Sequence, residues 1–280
     1  VGVVLFIGVF LAGLGVAVWF TVCVAMGKVR WRFQAPSPGG SVYLETVAVF
    51  VLGFLVFKLV LEGLRALIPN PTDAQVALLT SVQWLMVLPI FWPLLRGVKL
   101  RDMRASMGLT TGEGLFREIA AGVLAYLAGI PVFLGVVFLT LLLVMIWEMI
   151  KRMMGWPPSP PPENPLVDLF GGGGTWTLIA FGILATVWAP LVEESIFRGC
   201  LFRHARSRVN VVLAAIASAM VFGGMHGYQG LLLLPVTSLG VVFALMREWR
   251  GSLVAPMTAH FLHNATVTMV MVTVVKMLSD

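Results

Sequence analysis

Charged side chains are scarce in this sequence. Asp, Glu, Lys and Arg make up 11% of its 280 residues, while hydrophobic residues make up 59%. A soluble domain carries roughly a quarter of its residues as charged side chains, because water must solvate its surface. The shortage excludes a soluble globular protein, and the mean hydropathy of +0.96 favours an integral membrane protein.

Cysteine is scarce as well, and the basic residues form no single patch. The two cysteines, Cys23 and Cys200, lie far apart in or beside apolar segments, without a CxxC pair. We therefore expect no structural disulfide. The net charge is +6, but Lys and Arg lie in short clusters between apolar runs. This pattern is typical of membrane topology signals and argues against nucleic acid as a partner.

Long apolar runs dominate the rest of the chain. A run of about 20 residues crosses a bilayer as a helix, at about 1.5 Å per residue. The sequence therefore predicts an all-α fold, a polytopic membrane bundle of about eight transmembrane helices. The predicted spans are Val1–Met26, Leu44–Ile68, Val76–Leu95, Ile119–Trp147, Thr175–Ile196, Val209–Met225, Leu231–Met246 and Leu253–Val275.

The first apolar run is interpreted as a transmembrane helix. No basic stretch precedes it and it starts at Val1, so a cleaved signal peptide is disfavoured. We expect the sequence to be truncated at its N-terminus.

Basic residues indicate the orientation of the bundle. Of the 19 Lys and Arg residues, 14 lie in the first, third, fifth and seventh predicted loops. The positive-inside rule makes these loops cytoplasmic and places both termini outside, with the bacterial plasma membrane as the expected location. The basic segment from Arg96 to Glu118 also contains spaced apolar residues, so it is either an interfacial helix or a solvated loop.

Three regions follow from this pattern. Residues 1–118 contain the first three helices and the basic segment, 119–174 the fourth helix and a linker, and 175–280 the last four helices. The linker contains the proline-rich stretch Trp156–Pro165 and the run Gly171–Gly174, which favour an extended, flexible chain.

Polar side chains inside the last four spans point to a functional site. Such groups cost several kcal/mol in a bilayer unless they are paired. Glu194 and Arg198 are four residues apart and are expected to form an ion pair. Glu193 is rotated by about 100° from its neighbour and lacks that partner. An unpaired carboxylate in an apolar site is a stronger base than one in water, so we predict Glu193 to be a general base.

Histidine and asparagine complete the predicted cluster. The helix depths of His226, His260 and Asn264 allow these side chains to meet Glu193 in the bilayer interior. His260 and Asn264 are four residues apart and share a helix face. His263 follows His260 by three residues and is a candidate to support it.

Three motifs in order on separate helices resemble those of the CPBP family of membrane proteases. They are Glu193-Glu194-x-x-x-Arg198, Phe222-x-x-x-His226 and His260-x-x-x-Asn264. The family includes CAAX prenyl endopeptidases and bacteriocin-processing or self-immunity proteins, and the resemblance covers about Thr175 to Thr273. It implies an intramembrane endopeptidase in a bundle whose cavity opens to the cytoplasm and to lipid.

The resemblance also implies that the catalytic residues are Glu193, Glu194, His226, His260 and Asn264, each with its own role. Glu193 with His226 would activate the attacking water, and Glu194 would bond Arg198. His260 with Asn264 would stabilise the oxyanion, and the wall of the site would be lined by Phe222.

The motifs leave open whether the site holds a metal cofactor. Members of the family are often called metalloproteases, and a divalent metal such as zinc would use Glu193, His226 and His260. The family pattern also fits a mechanism with Glu and His alone, and we slightly favour a site without an obligatory metal.

The sequence lacks the catalytic motifs of other protease classes. There is no HExxH motif and no GxSxG serine elbow. An aspartyl dyad is excluded because every aspartate lies in a predicted loop or at the C-terminus: Asp73, Asp102, Asp168 and Asp280.

The expected substrate is a peptide, or a lipid-modified or transmembrane protein, that enters from the bilayer. Two other functions stay open. One is a non-catalytic membrane scaffold or immunity protein with the same fold, and the other is a proton-coupled transporter, since buried Glu and His also form proton relays.

Overall fold

The computed structural model describes residues 2–36, 41–68, 70–159 and 173–279. Every regular element within these ranges is helical. The predicted all-α fold is therefore confirmed. Most of the predicted linker, including Asp168, lies outside the described residues.

Nine helices follow one another in the part of the chain that the structure describes. They are α1 (Gly2–Ala25), α2 (Val42–Leu67), α3 (Asp73–Leu95), α4 (Leu100–Met107), α5 (Leu115–Met153), α6 (Thr175–Arg206), α7 (Val211–Gly224), α8 (Gly230–Arg250) and α9 (Val254–Ser279).

Two of these helices change type along their length. α3 tightens to a 3-10 helix over Val82–Phe91. α6 widens to π turns over Leu184–Trp188 and again over Ser195–Phe202. Single π turns within α-helices are common at functional sites, because they expose backbone groups that a regular helix would pair.

Six of the described helices are long and apolar enough to cross a membrane, namely α1, α2, α3, α5, α6 and α8. They correspond to predicted spans one to five and seven. α7 occupies the sixth predicted span but has only 14 residues. α9 occupies the eighth and carries His260, His263 and Asn264 within its apolar sequence. The expected bundle of about eight helices agrees with this arrangement.

The predicted bounds of α5 and α6 were too narrow. α5 extends over Leu115–Met153, four residues earlier and six residues later than predicted. α6 continues past Ile196 to Arg206. The polar residues after Ile196 stay helical because they are packed inside the protein, where Arg198 and Cys200 are fully buried.

The basic segment between α3 and α5 forms a short amphipathic helix, α4. Its apolar residues Met103 and Met107 are buried, while Arg101 and Arg104 are exposed. Gly108 ends the helix with a positive φ of 81°, which a glycine adopts without strain. A helix therefore replaces the alternative of a plain solvated loop.

The largest hydrophobic cluster surrounds α6. Its members come from α2, α3, α4, α6 and α7, and the most buried include Phe50, Met107, Val192, Ile196 and Phe222. Because α6 contacts so many neighbours, its central residues are held in the interior of the bundle. This position fixes the carboxylates of Glu193 and Glu194.

Ion pairs hold the basic end of the bundle together. Arg250, at the end of α8, donates to both carboxylate oxygens of Glu118 at 2.8 and 3.0 Å and to Glu113 at 3.0 Å. Glu113 also pairs with Arg32 from the first loop. Glu118 is fully buried, so these contacts compensate the cost of burying its charge.

Replacing Glu118 by Gln is expected to destabilise the fold by about 3 kcal/mol, because it removes the charge that faces a nearly buried guanidinium. Glu113 is a third exposed, and Glu113→Gln should cost about 1 kcal/mol or less. Thermal unfolding of both variants in detergent micelles measures the difference. Equal melting temperatures would show that the buried pair does not stabilise the basic end.

Candidate active site

The first π turn of α6 creates a tether to α9. The Ala189 N–H bonds to the Leu184 carbonyl, five residues back, as in a π-helix. The next carbonyl, that of Ala185, would take its bond from residue 190, but Pro190 has no N–H. Asn264 supplies the missing donor: its Nδ2 lies 2.7 Å from the Ala185 oxygen. The asparagine is thereby fixed against α6, with its remaining amide atoms available to the site.

Glu194 and Arg198 form a fully buried ion pair on α6. Arg198 Nη1 lies 2.9 Å from Glu194 Oε1. Arg198 Nη2 donates to the Gly240 carbonyl of α8 at 3.0 Å. The guanidinium also lies over the rings of Phe222 and Phe243, at 4.3 and 5.2 Å from their centroids. These contacts compensate the cost of a buried charge and join α6 to α7 and α8.

His260 bonds to the same carboxylate. Its Nδ1 lies 2.8 Å from Glu194 Oε1, and because a carboxylate only accepts, this nitrogen carries the hydrogen. The ring stacks on Phe243 with centroids 5.1 Å apart. Nε2 is therefore directed towards Glu193, with 3.9 Å between Nε2 and Glu193 Oε2.

His226 is held in a similar way by the backbone. Its Nδ1 lies 2.8 Å from the Phe222 carbonyl, to which it donates. Its Nε2 lies 4.0 Å from Glu193 Oε2. Both imidazoles thus present Nε2 to the same carboxylate oxygen, and neither distance is a direct hydrogen bond.

Glu193 lies at the centre of this arrangement. Its side chain is 17% exposed, whereas the Glu194 side chain is fully buried. Among the described residues, Glu193 Oε2 has no hydrogen-bond partner. The adjacent carboxylates therefore occupy different environments: Glu194 is paired twice through Oε1, and Glu193 borders an adjoining space.

That space is the main cavity, a volume of about 320 Å³ lined by Glu193, His226, His260 and Asn264 together with mostly apolar side chains. A smaller cavity of about 170 Å³ lies towards α2 and shares Glu193 and His226 with it. Phe222 lies in the wall of the main cavity, where the resemblance places it. The structure thus brings four of the five predicted catalytic side chains to one surface, and the fifth, Glu194, does not line it.

His263 occupies a different environment from the one expected. It lines the main cavity, but its ring packs edge-on against Phe133 and Tyr126 of α5, at 5.0 and 6.4 Å between centroids. The carboxylate of Glu194, rather than His263, holds the His260 ring in the described structure.

Sequence reasoning missed several residues of the site. Phe243 stacks on His260, but in the sequence it is one of many apolar residues in its span. No feature of the sequence therefore identified it as part of the site. Gln83 and Tyr228 also line the main cavity. Gln83 is an uncharged polar residue inside the third apolar run, and that feature could have marked it as a candidate.

The candidate residues do not fit a zinc site in this arrangement. Two ligands of a tetrahedral zinc ion with bonds of 2.0–2.1 Å lie roughly 3.3 Å apart. Glu193 Oε2 lies 3.9 and 4.0 Å from the two imidazole nitrogens. Among the described residues no three His, Cys, Asp or Glu side chains are placed to hold a metal ion.

The protein is a helical membrane bundle in which Glu, His and Asn side chains form a buried cluster beside a cavity. Comparison with known proteins shows which family it resembles. The family model for the Type II CAAX prenyl endopeptidase Rce1-like proteins matches residues 175–266. This segment contains all three motifs. The resemblance that the motifs predict is therefore confirmed.

One curated relative is similar to part of the chain. The uncharacterized protein YpbD of Bacillus subtilis (strain 168) is 33% identical over 86 residues, which cover 30% of this chain and 41% of YpbD. The chain therefore spans about two fifths of the length of this relative. No solved structure matches the chain.

The adjacent carboxylates should respond differently to neutralisation. Glu194→Gln leaves the buried Arg198 guanidinium without its counter-charge and should destabilise the protein by about 3 kcal/mol. Glu193→Gln should leave stability unchanged or raise it slightly, because it replaces a poorly solvated carboxylate by a neutral group.

Thermal unfolding of the two single variants in the same detergent compares them directly. The two variants carry the same chemical change at adjacent positions. A larger loss for Glu193→Gln than for Glu194→Gln would contradict the assignment of Glu194 as the structural carboxylate.

Proposed function

We propose that this chain is an intramembrane endopeptidase in which Glu193 activates a water molecule. The observation that carries the proposal is the convergence of two imidazole nitrogens on Glu193 Oε2, at 3.9 and 4.0 Å. Two groups that each bond one water at about 2.8 Å are separated by roughly 4 Å when the bonds are nearly perpendicular. Each Nε2–Oε2 distance therefore matches the separation of two groups that share one bridging water.

The proposed reaction begins with proton transfer from this water to Glu193. The neutral His226 ring donates from Nδ1 to Phe222, so its Nε2 has a lone pair that accepts a hydrogen from the water and orients it. The oxygen of the water attacks the carbonyl carbon of the scissile peptide. Glu193 then passes the proton to the leaving amine, which gives a new carboxyl and a new amino terminus.

The oxyanion of the tetrahedral intermediate would bond to Asn264 and His260. One N–H of the Asn264 amide is used by the Ala185 carbonyl, and the other remains for the oxyanion. His260 donates from Nδ1 to Glu194, and its Nε2 is directed into the main cavity, where an N–H would bond the oxyanion. Both donors are fixed before substrate binds, which is the condition for effective stabilisation of a developing charge.

Glu194 and Arg198 are positioning residues in this proposal. Glu194 orients the His260 ring through a 2.8 Å bond, and Arg198 compensates its charge. This division differs from the prediction in one respect, because Glu194 bonds to His260 as well as to Arg198.

The Rce1-like match supports CAAX-type protein processing as the class of reaction. We propose a peptide or a lipid-modified or transmembrane protein as substrate, within the bilayer of a bacterial plasma membrane. The similarity to a Bacillus subtilis protein supports the bacterial location.

Glu193→Gln should abolish cleavage while the protein remains folded, because an amide does not accept the proton of the water. Membranes from cells that express either the wild type or this variant are compared by mass spectrometry of new N-termini. The expected result is at least one N-terminus present only with the wild type. Identical sets of N-termini would support a non-catalytic scaffold instead.

Asn264→Ala should lower the turnover of a substrate found in this way by about 100- to 1000-fold, which is typical for the loss of one oxyanion donor. Thr268→Ala, one turn further along α9 and also on the cavity wall, is the matched control and should retain most of the turnover. Rates in proteoliposomes test both variants. Full activity of Asn264→Ala would remove this residue from the mechanism.

A further inference from the structure

The smaller cavity adjoins the main cavity at the candidate catalytic base. Four residues line both cavities, namely Gln83, Trp188, Glu193 and His226. The candidate oxyanion donors His260 and Asn264 line only the main cavity. A peptide whose carbonyl reaches these two donors would therefore have the smaller cavity next to its scissile bond, on the other side of the Glu193 carboxylate.

Aromatic rings and a thioether form the other walls of the smaller cavity. Phe50 and Phe54 come from α2, Phe197 comes from α6, and Met225 directly follows α7. The Phe50 ring stacks on Phe54 with 6.2 Å between centroids, and it meets Phe197 edge-on at the same distance. Phe50 and Phe197 are each 2% exposed, so packing in the core fixes these two walls.

The size of the smaller cavity matches one ring-sized group. Its volume is about 170 Å³, and an apolar protein cavity of about 150 Å³ binds a benzene molecule. Phenylalanine rings and a methionine sulfur make favourable contacts with a further ring. Among the described residues, no Lys or Arg side chain lines the cavity. These walls therefore favour a large uncharged side chain over a small or a charged one.

An unused hydrogen-bond donor belongs to the wall that the two cavities share. The Trp188 side chain is 1% exposed, and its indole N–H has no hydrogen-bond partner among the described residues. A buried donor without a partner is unfavourable. The backbone of a peptide in an apolar site likewise loses its bonds to water. A substrate carbonyl that accepts from Trp188 would satisfy both groups.

We propose that the smaller cavity binds one large apolar side chain, such as that of Phe or Leu, from a residue that flanks the scissile bond. Trp188 would donate to a backbone carbonyl of the bound segment. The assignment to a substrate rests on the proposed function, but the binding preference of the cavity does not. Of the three phenylalanines in its wall, Phe54 is the partly exposed one. Its size can therefore be changed with the least effect on the core.

Variants of Phe54 test the pocket on a substrate that has been identified by its new N-terminus. Versions of this substrate carry Phe or Ala at each residue that flanks the scissile bond, and kcat/KM is measured in proteoliposomes. The wild type should prefer Phe at one position by at least about 10-fold, because a single methylene in an apolar pocket changes specificity by about 10- to 200-fold. Phe54→Trp fills the cavity and should remove the preference. Phe54→Ala enlarges it and should extend the preference to Trp.

Leu55→Trp is the matched control. Leu55 is the next residue of α2 and is 53% exposed, so this variant adds an indole outside the cavity. The preference for Phe over Ala should keep its wild-type value. A preference that neither Phe54 variant changes would overturn the proposal.

Disulfide exchange tests the cavity without any cleavage. In a Cys23→Ser background the remaining Cys200 is fully buried, and Met225→Cys places a thiol in the smaller cavity. The protein in detergent is equilibrated with equal excesses of benzyl mercaptan and 2-mercaptoethanol. Mass spectrometry of the intact protein gives the ratio of the two adducts. Leu55→Cys gives the same ratio on the exposed face of α2 and corrects for partition into detergent.

The ratio of benzyl to hydroxyethyl adduct at Met225→Cys should exceed that at Leu55→Cys by at least about 10-fold, and adding Phe54→Trp should remove the difference. Equal ratios, or a difference that Phe54→Trp does not reduce, would refute the binding preference. Gln83→Cys, also on the cavity wall, replaces Met225→Cys if that variant does not fold. If exchange is selective but no cleavage depends on Glu193, the proposed function fails and the binding preference stands. If cleavage depends on Glu193 but exchange is unselective, only this inference fails.

Discussion

The site depends on one buried chain of charge and hydrogen bonds that connects Arg198, Glu194 and His260. Glu194 Oε1 accepts from Arg198 at 2.9 Å and from His260 at 2.8 Å, so one oxygen joins α6 to α9 across 66 residues of sequence. Each of the three side chains compensates the cost of burying the next, because an isolated charge in this interior would cost several kcal/mol. The chain leaves Glu193 as the carboxylate that faces the main cavity.

The backbone of α6 contributes the second constraint. Its π turn and Pro190 together free the Ala185 carbonyl, and the bond from Asn264 satisfies it. A break in the regular helical pattern thus fixes the second side chain of α9. His260 and Asn264 are both anchored to α6, which fixes their positions relative to Glu193.

Local features of the sequence predicted a large part of this structure. The apolar runs predicted the helices because burial of backbone polar groups in lipid leaves few alternatives to a helix. The spacing of Glu194 and Arg198 predicted a contact that the structure contains. In contrast, the bond between Glu194 and His260 and the stacking of Phe243 arise between helices distant in sequence. The packing of α4 on α6 is likewise a contact that composition and periodicity do not encode.

The central claim is that Glu193 acts as a base on water and does not attack the peptide itself. A single turnover in water labelled with oxygen-18, followed by mass spectrometry of the product and of the Glu193 peptide, tests for direct attack, because water that opens an acyl intermediate at the Glu193 carbonyl labels the side chain. Our account predicts one heavy oxygen in the new C-terminal carboxylate of the product and none in Glu193. Heavy oxygen in the Glu193 side chain would indicate a covalent acyl intermediate and would contradict the account.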